Sequence, residues 1–129
     1  MPKFGKTSLA HLATCHPDLQ RLMHEVIKHV DFSITCGYRG EAEQNAAYAA
    51  GNSKLKFPHG EHNKMPSRAV DFAPYPLNWN DAEAFTLLAG VIYGVACTMG
   101  IKLRLGIDWD GDFNTLEHSF RDRPHAELL

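Results

Sequence analysis

The longest uncharged segment of the chain places the strongest limit on how it can fold. Residues 84–100, AFTLLAGVIYGVACTMG, hold no charged side chain, so they must either cross a membrane or be covered by protein. Seventeen residues stand at the lower edge of the roughly 17–25 that span a bilayer, and this segment includes three glycines and two threonines. The favoured interpretation is a helix that begins at the N-cap residue Asn80, lies buried on a sheet and does not span a membrane. Gly90 and Gly94 would then permit a close approach between helix and sheet.

Hydrophobic spacing predicts the remaining elements. Apolar residues at helical intervals follow Ser8, which is expected to cap a first helical turn, and Pro17 begins a longer helix that ends near Val30. An alanine-rich helix is predicted from Glu41 to Ala50. Four β-rich runs occupy 32–38, 68–72, 102–107 and 125–128, and a long irregular loop occupies 51–68. This order predicts an α+β fold, a single small domain spanning 1–129 whose helices pack on one mainly antiparallel sheet.

Composition excludes several classes of protein. A chain of 129 residues that is 44% hydrophobic fits one domain with one core. A formal net charge of −2 and the absence of a basic run argue against nucleic-acid binding. The three cysteines, Cys15, Cys36 and Cys97, are widely spaced and are expected to be buried thiols, not zinc ligands. No signal-peptide pattern opens the chain, so we expect the protein to stay in the cytoplasm until it is released. We also expect it to be a monomer.

Two distant segments offer the ligands of a metal. His62 ends the long loop, Asp71 lies in the strand that follows, and His125 opens the last strand three residues after Asp122. If the two strands are neighbours, the side chains of His62, Asp71 and His125 converge at one sheet edge. Two imidazoles and a carboxylate with an acid nearby are what a catalytic zinc site requires. The alternative is that these are ordinary surface or core residues, since the chain has eight histidines.

Several motifs resemble one family of zinc enzymes, the D-alanyl-D-alanine carboxypeptidases and L-alanyl-D-glutamate peptidases, and within it the small phage endolysins. The similarity runs through most of the chain and keeps order and spacing. Its motifs are Lys3-Phe4-Gly5-Lys6, Arg39 with Gln44, His62 with Ala69-Val70-Asp71-Phe72-Ala73-Pro74-Tyr75, Asp81-x-Glu83-Ala84-Phe85, Gly100-Ile101-Lys102-Leu103-Arg104-x-Gly106-x-Asp108-Trp109, and Asp122-x-x-His125-x-Glu127.

The resemblance implies a role for each site residue. His62, Asp71 and His125 would bind zinc, Asp122 would be the catalytic acid and base, and Arg39 would meet the substrate. The chain departs from the family pattern at two places. Gly60-Glu61-His62 stands where Ser-x-His is usual, and eight residues separate His62 from Asp71 where the pattern has six. The departures leave His59 as an alternative first ligand, although the position of His62 relative to Asp71 is closer to the family spacing.

Two further features remain open at this point. Glu127 would share the strand face of His125, so it either orients that imidazole or is a plain exposed residue. Asp108, Asp110 and Asp112 alternate like the start of a calcium loop, but the glycine and glutamate of an EF-hand are absent. Calcium as a regulator and a simple polar turn are both compatible with this pattern.

The favoured function is a zinc-dependent peptidoglycan peptidase, a phage or prophage endolysin that cuts the L-alanyl-D-glutamate bond of stem peptides. One alternative with the same chemistry is a D-alanyl-D-alanine carboxypeptidase. A second, from a different class, is a non-catalytic cell-wall-binding module on the same fold. A complete ligand set together with Asp122 favours an enzyme, since a binding module needs neither.

Overall fold

The computed structural model describes residues 2–113 and 122–129. Short helices and strands alternate along these ranges, as the hydrophobic spacing predicts. A one-turn 3₁₀ helix, Glu61–Asn63, interrupts the long loop. The helices are α1 (Lys6–Leu12), α2 (Pro17–Val26), α3 (Glu41–Ala49) and α4 (Ala82–Thr98), and the strands are β1 (Phe32–Cys36), β2 (Ala69–Pro74), β3 (Leu103–Leu105) and β4 (His125–Leu128).

The four strands form one antiparallel sheet in the order β1-β2-β4-β3. The α+β prediction is therefore confirmed. Alternation along each strand sends Val70 and Phe72 of β2 and Ala126 of β4 into the core, where all three are fully buried. Asp71 and His125 point to the opposite face, and they pair directly across β2 and β4. One face of the sheet thus holds the core, and the other is free to carry a site.

Two helices close the core. The buried side chains of α2 and α4 recur at three- and four-residue intervals, so each helix has one buried stripe. α4 contacts both α2 and the strands β2 and β3. No helix in the described ranges is long and apolar enough to cross a membrane. The buried stripes consist of Leu19, Leu22, Met23 and Val26 in α2 and of Phe85, Leu88, Ala89, Ile92 and Ala96 in α4.

Helix α4, which contains most of the uncharged segment 84–100, is buried on one side only, and the prediction for its glycines is wrong. Gly90 and Gly94 are exposed, and no atom of residues 2–113 or 122–129 lies within 4 Å of where a Cβ would be at either position. They lie opposite the apolar stripe of α4, so they mediate no close approach. Cys97 is exposed on this helix as well, and among the cysteines only Cys15 is fully buried.

Ser8 has a different role from the predicted cap. Helix α1 begins at Lys6 after Gly5, so Ser8 lies inside the first turn. Its buried hydroxyl accepts a hydrogen bond of 3.0 Å from the backbone N–H of Ile34 and so ties α1 to β1. The cap of α4 also shifts by one residue, from Asn80 to Asp81, whose carboxylate accepts from the N–H of Ala84.

Candidate metal centre and groove

The two inner strands of the sheet provide the centre of the site. Asp71 of β2 and His125 of β4 are directly opposite each other, and His125 Nδ1 lies 3.2 Å from Asp71 Oδ1. The site was expected at the sheet edge, and this expectation is wrong. Because β3 pairs with the outer side of β4, Asp71 and His125 lie over the middle of the sheet.

His62 reaches the same carboxylate from the 3₁₀ helix. Its ring is 4% exposed, and its Nε2 lies 3.1 Å from Asp71 Oδ1. The other nitrogen, Nδ1, is 2.7 Å from the carbonyl oxygen of Gly37, so Nδ1–H donates to that acceptor. This contact fixes the ring orientation and leaves Nε2 directed at Asp71. His59, the alternative ligand, is exposed and belongs to none of the candidate metal groups of the described residues.

Glu127 orients the second imidazole. Its Oε1 lies 2.7 Å from His125 Nε2, which makes this nitrogen the donor and leaves Nδ1 directed at Asp71. The side chain of Glu127 is 12% exposed, so it is not the plain surface residue of the alternative interpretation. Each imidazole therefore has one nitrogen held by an acceptor and the other directed at the same carboxylate oxygen.

The charges at this centre are strongly coupled. Burial alone lowers the pKa of an imidazole, but the charge of Asp71 and its hydrogen bond outweigh burial and raise the pKa of His62 to about 10. For His125, burial is likewise outweighed by hydrogen bonds to Asp71 and Glu127, and the pKa rises to about 9. Burial would raise the pKa of Asp71, yet the two imidazoles hold that pKa well below its usual range.

Asp122 lies beside these three residues. Its Oδ2 is 3.8 Å from His125 Nδ1, and its pKa is raised, first by burial and then by the charge of Asp71. Backbone contacts with Gly106 place it there: the N–H of Asp122 donates to the Gly106 carbonyl at 2.8 Å. A Cβ on Gly106 would collide with the Asp122 carbonyl oxygen, so this position after β3 requires glycine.

Arg39 extends into the centre from the end of β1. Its guanidinium donates to Asp71 Oδ2 at 3.3 Å and to Gln44 Oε1 at 3.1 Å. Gln44 is 1% exposed, and its amide also donates to Ser53 Oγ and to the carbonyl of Leu55. This buried amide connects α3, Arg39 and the loop after α3. Arg39 thus contacts the same Asp71 carboxylate that both imidazoles contact.

Cys36 is a member of the site that the sequence does not predict. A β-bulge between Ile34 and Cys36 turns the thiol toward Asp71, and Sγ lies 3.9 Å from His62 Nδ1. Two overlapping groups, Cys36–His62–Asp71 and Asp71–Asp122–His125, could hold a metal ion. His62 Nδ1 is closer to the carbonyl oxygen of Gly37 than to the thiol, so its contact with the thiol is the weaker of the two.

An open groove runs over this centre. Its volume is about 600 Å³, and the ring of Trp109 packs against that of His125 with centroids 5.5 Å apart. Tyr75 is exposed and lines a different depression. The residues that line the groove are Arg39, Gln44, Asn52, Ser53, Lys54, Leu55, Gly60, Glu61, His62, Arg104, Trp109, Asp122, His125 and Glu127.

A third candidate metal group lies in the loop after β3. Oxygens of Asp108, Asp110 and Asp112 all lie within 4.8 Å of one another. Asp108 is buried and its Oδ2 accepts from the N–H of Phe113 at 2.9 Å. Residues 114–121, which would complete a calcium loop, lie outside the described residues.

The fold of the chain is that of a known protein. Its structure superposes on the L-Ala D-Glu endopeptidase ChiX of Serratia marcescens with a TM-score of 0.76 over 98% of this chain and 90% of ChiX. At 24% sequence identity, this similarity defines the fold alone. The class is thus that of small α+β proteins with the fold of ChiX.

Sequence comparison then gives the family. A family model described as phage L-alanyl-D-glutamate peptidase matches residues 1–129. The L-alanyl-D-glutamate peptidase of Escherichia phage T5 is 36% identical over 135 aligned positions, which cover 98% of each chain. The chain belongs to the phage L-alanyl-D-glutamate peptidase family, and the resemblance seen in its motifs is confirmed.

Proposed function

We propose that this protein is a zinc-dependent peptidoglycan peptidase that hydrolyses the L-alanyl-D-glutamate bond of stem peptides. The observation that carries the proposal is that His62, His125 and Asp122 line one groove and are grouped around the carboxylate of Asp71, in a chain that matches the family along its whole length. In this proposal residues 1–129 act as one catalytic domain and a monomer. As a phage or prophage endolysin, the protein stays in the host cytoplasm until it is released to the wall.

The donor set fits zinc. His62 Nε2 and His125 Nδ1 lie 3.1 and 3.2 Å from Asp71 Oδ1. Two donors bound to one tetrahedral zinc at about 2.0–2.1 Å are separated by about 3.3 Å, and both nitrogen–oxygen pairs lie close to that spacing. We therefore assign His62, Asp71 and His125 as the zinc ligands. When bound, zinc supplies a water whose pKa is lowered to about 7 and a Lewis acid for the scissile carbonyl.

The remaining residues perform the proton transfer and bind developing charge. Asp122 Oδ2, next to His125 Nδ1, accepts a proton from the attacking water and delivers it to the leaving amine. Arg39 stays paired with Asp71 while its charge faces the carbonyl oxygen on which negative charge develops. Gly37 and Glu127 hold the two imidazoles in the orientation that a metal needs.

Mass spectrometry of purified peptidoglycan after incubation with the zinc-loaded protein tests the function. We expect fragments with new L-alanine carboxyl ends and D-glutamate amino ends. Loss of terminal D-alanine alone would replace the proposal with a D-alanyl-D-alanine carboxypeptidase. Binding to peptidoglycan without any cleavage would replace it with a cell-wall-binding module.

Zinc binding is expected to release protons and to strengthen as the pH rises. In the metal-free protein the raised pKa values of His62 and His125, about 10 and 9, keep both imidazoles protonated at neutral pH. Zinc must displace these protons, so log K should rise by close to two per pH unit below about pH 9. Isothermal titration calorimetry in buffers of different ionisation enthalpy counts the protons. Zinc affinity that is constant between pH 7 and 9 would contradict the protonation of the two imidazoles in the metal-free protein.

Calcium is the cation that we propose for Asp108, Asp110 and Asp112, as a regulator of the enzyme. Carboxylate oxygens with no nitrogen or sulfur among them suit this hard ion. Asp110→Asn combined with Asp112→Asn should weaken calcium binding at least tenfold in calorimetry and leave zinc binding unchanged. If the unaltered protein shows no saturable calcium binding at millimolar concentration, the assignment is wrong.

A further inference from the structure

Arg39 and Arg104, which both line the groove, differ in their contacts with neighbouring side chains. Arg39 donates to Asp71 and Gln44, so its guanidinium is tied to the metal centre. Arg104 has one ion pair among the described residues, with Glu127, and the 3.7 Å between Nη1 and Oε2 exceeds a hydrogen bond. Its side chain is 43% exposed and lines the groove. Arg104 therefore has donors to offer to a molecule bound there.

Strand order places the two arginines on opposite flanks of the centre. Arg104 of β3 pairs with Glu127 of β4, and both side chains share the sheet face that carries His125. Arg39 follows β1 at the other side of the sheet. Since the order is β1-β2-β4-β3, Asp71 and His125 lie between the two guanidinium groups. A chain bound across the strands would extend from one arginine to the other.

The position of Asp122 indicates which part of the substrate lies on the side of the site next to β3. Its backbone N–H donates to Gly106, the residue that follows β3, so Asp122 lies on the same side as Arg104. As the acid that protonates the leaving amine, Asp122 must be next to that amine. The residue that contributes the scissile nitrogen, a glutamyl residue in the proposed substrate, then occupies the Arg104 side.

A glutamyl residue in this position has one carboxyl group, free or amidated, that is not part of the peptide chain. Its amine forms the scissile bond and one of its two carboxyls continues the peptide, so the other is a free carboxylate or its amide. A guanidinium matches a carboxylate with two parallel charge-assisted hydrogen bonds, and it cannot form that pair with a neutral carboxamide.

We propose that Arg104 binds the free carboxylate of the glutamyl residue after the scissile bond, and that the enzyme selects stem peptides with this carboxylate over those in which it is amidated. The inference rests on the proposed function, and in particular on Asp122 as the acid that protonates the leaving amine. Arg104 thereby acts as a specificity residue. Glu127, held by His125 Nε2 on its other oxygen, keeps the guanidinium beside the groove.

Two synthetic peptides that differ only in this group, glutamyl carboxylate against carboxamide, test the inference with the zinc-loaded enzyme. The unaltered enzyme should show a kcat/KM about tenfold or more higher for the acid, in keeping with a charge-assisted hydrogen bond at a half-exposed site. Arg104→Gln should bring the ratio close to one, mainly by raising KM for the acid. Arg104→Lys should keep part of the preference, since it retains the charge without the fork.

The ratio of the two substrates separates specificity from general damage, because a disturbed metal site slows both peptides alike. Arg21→Gln, on the surface of α2, is the matched control and should keep the full preference. A ratio near one in the unaltered enzyme overturns the inference, and so does a preference that survives Arg104→Gln or that Lys54→Gln removes instead. Failure to cleave either peptide would count against the proposed function itself.

Discussion

Asp122→Asn is expected to retain zinc and to lose turnover, with kcat lower by about 10²–10⁴-fold. Asparagine keeps the size of the side chain and the backbone contacts with Gly106, so the three proposed ligands stay in place. It cannot accept the proton of the attacking water or return it to the leaving amine. Peptide cleavage followed by chromatography gives kcat, and elemental analysis of the same sample gives the zinc content.

Asp18→Asn is the matched control for this substitution. Asp18 is a partly exposed residue of α2 whose carboxylate pairs with Arg21, so its amide should leave kcat and zinc content unchanged. Full activity of Asp122→Asn would show that another group moves the proton. Loss of zinc together with activity would instead make Asp122 a ligand, which its place in the group with Asp71 and His125 permits.

Local pattern was sufficient to predict the elements that carry the centre. Asp71 and His125 stand in short β-rich runs, and alternation alone places each opposite the apolar residues that enter the core. The metal prediction assumed that these two strands are neighbours, and in the structure they pair directly. The pairing of β3 with the outer side of β4, which moves the site from the edge to the middle of the sheet, has no local signal.

Contacts that depend on register or on close backbone approach could not be predicted. The bulge that turns Cys36 toward His62 adds one residue to β1 and leaves no mark in its composition. Gly106 stands in a recognisable motif, but only the structure shows that Asp122 lies against it. Gly90 and Gly94 illustrate the reverse error, because a spacing typical of close packing occurs on the exposed face of α4.

Asp71→Asn is expected to remove zinc binding from the protein and to lower kcat/KM at least 10³-fold. The Asp71 carboxylate contacts both imidazoles and Arg39, at distances of 3.1 to 3.3 Å. The amide is a poor zinc ligand and carries no charge to offset Arg39. Titration of the metal-free proteins against a chromophoric chelator measures the affinity, which should fall by more than 100-fold.

Thermal unfolding separates loss of the metal from loss of the fold. A ligand that binds only the folded state stabilises it by about 4 kcal/mol when its concentration is 1,000 times Kd, so zinc at that concentration should raise the Tm of the unaltered protein by about 10 °C or more. Asp71→Asn should unfold cooperatively and show no such rise. Asp18→Asn should respond to zinc like the unaltered protein. A zinc-dependent rise in the Tm of Asp71→Asn would mean that His62 and His125 hold the metal with another ligand. Cys36, whose Sγ lies 3.9 Å from His62 Nδ1, would then be the first residue to mutate.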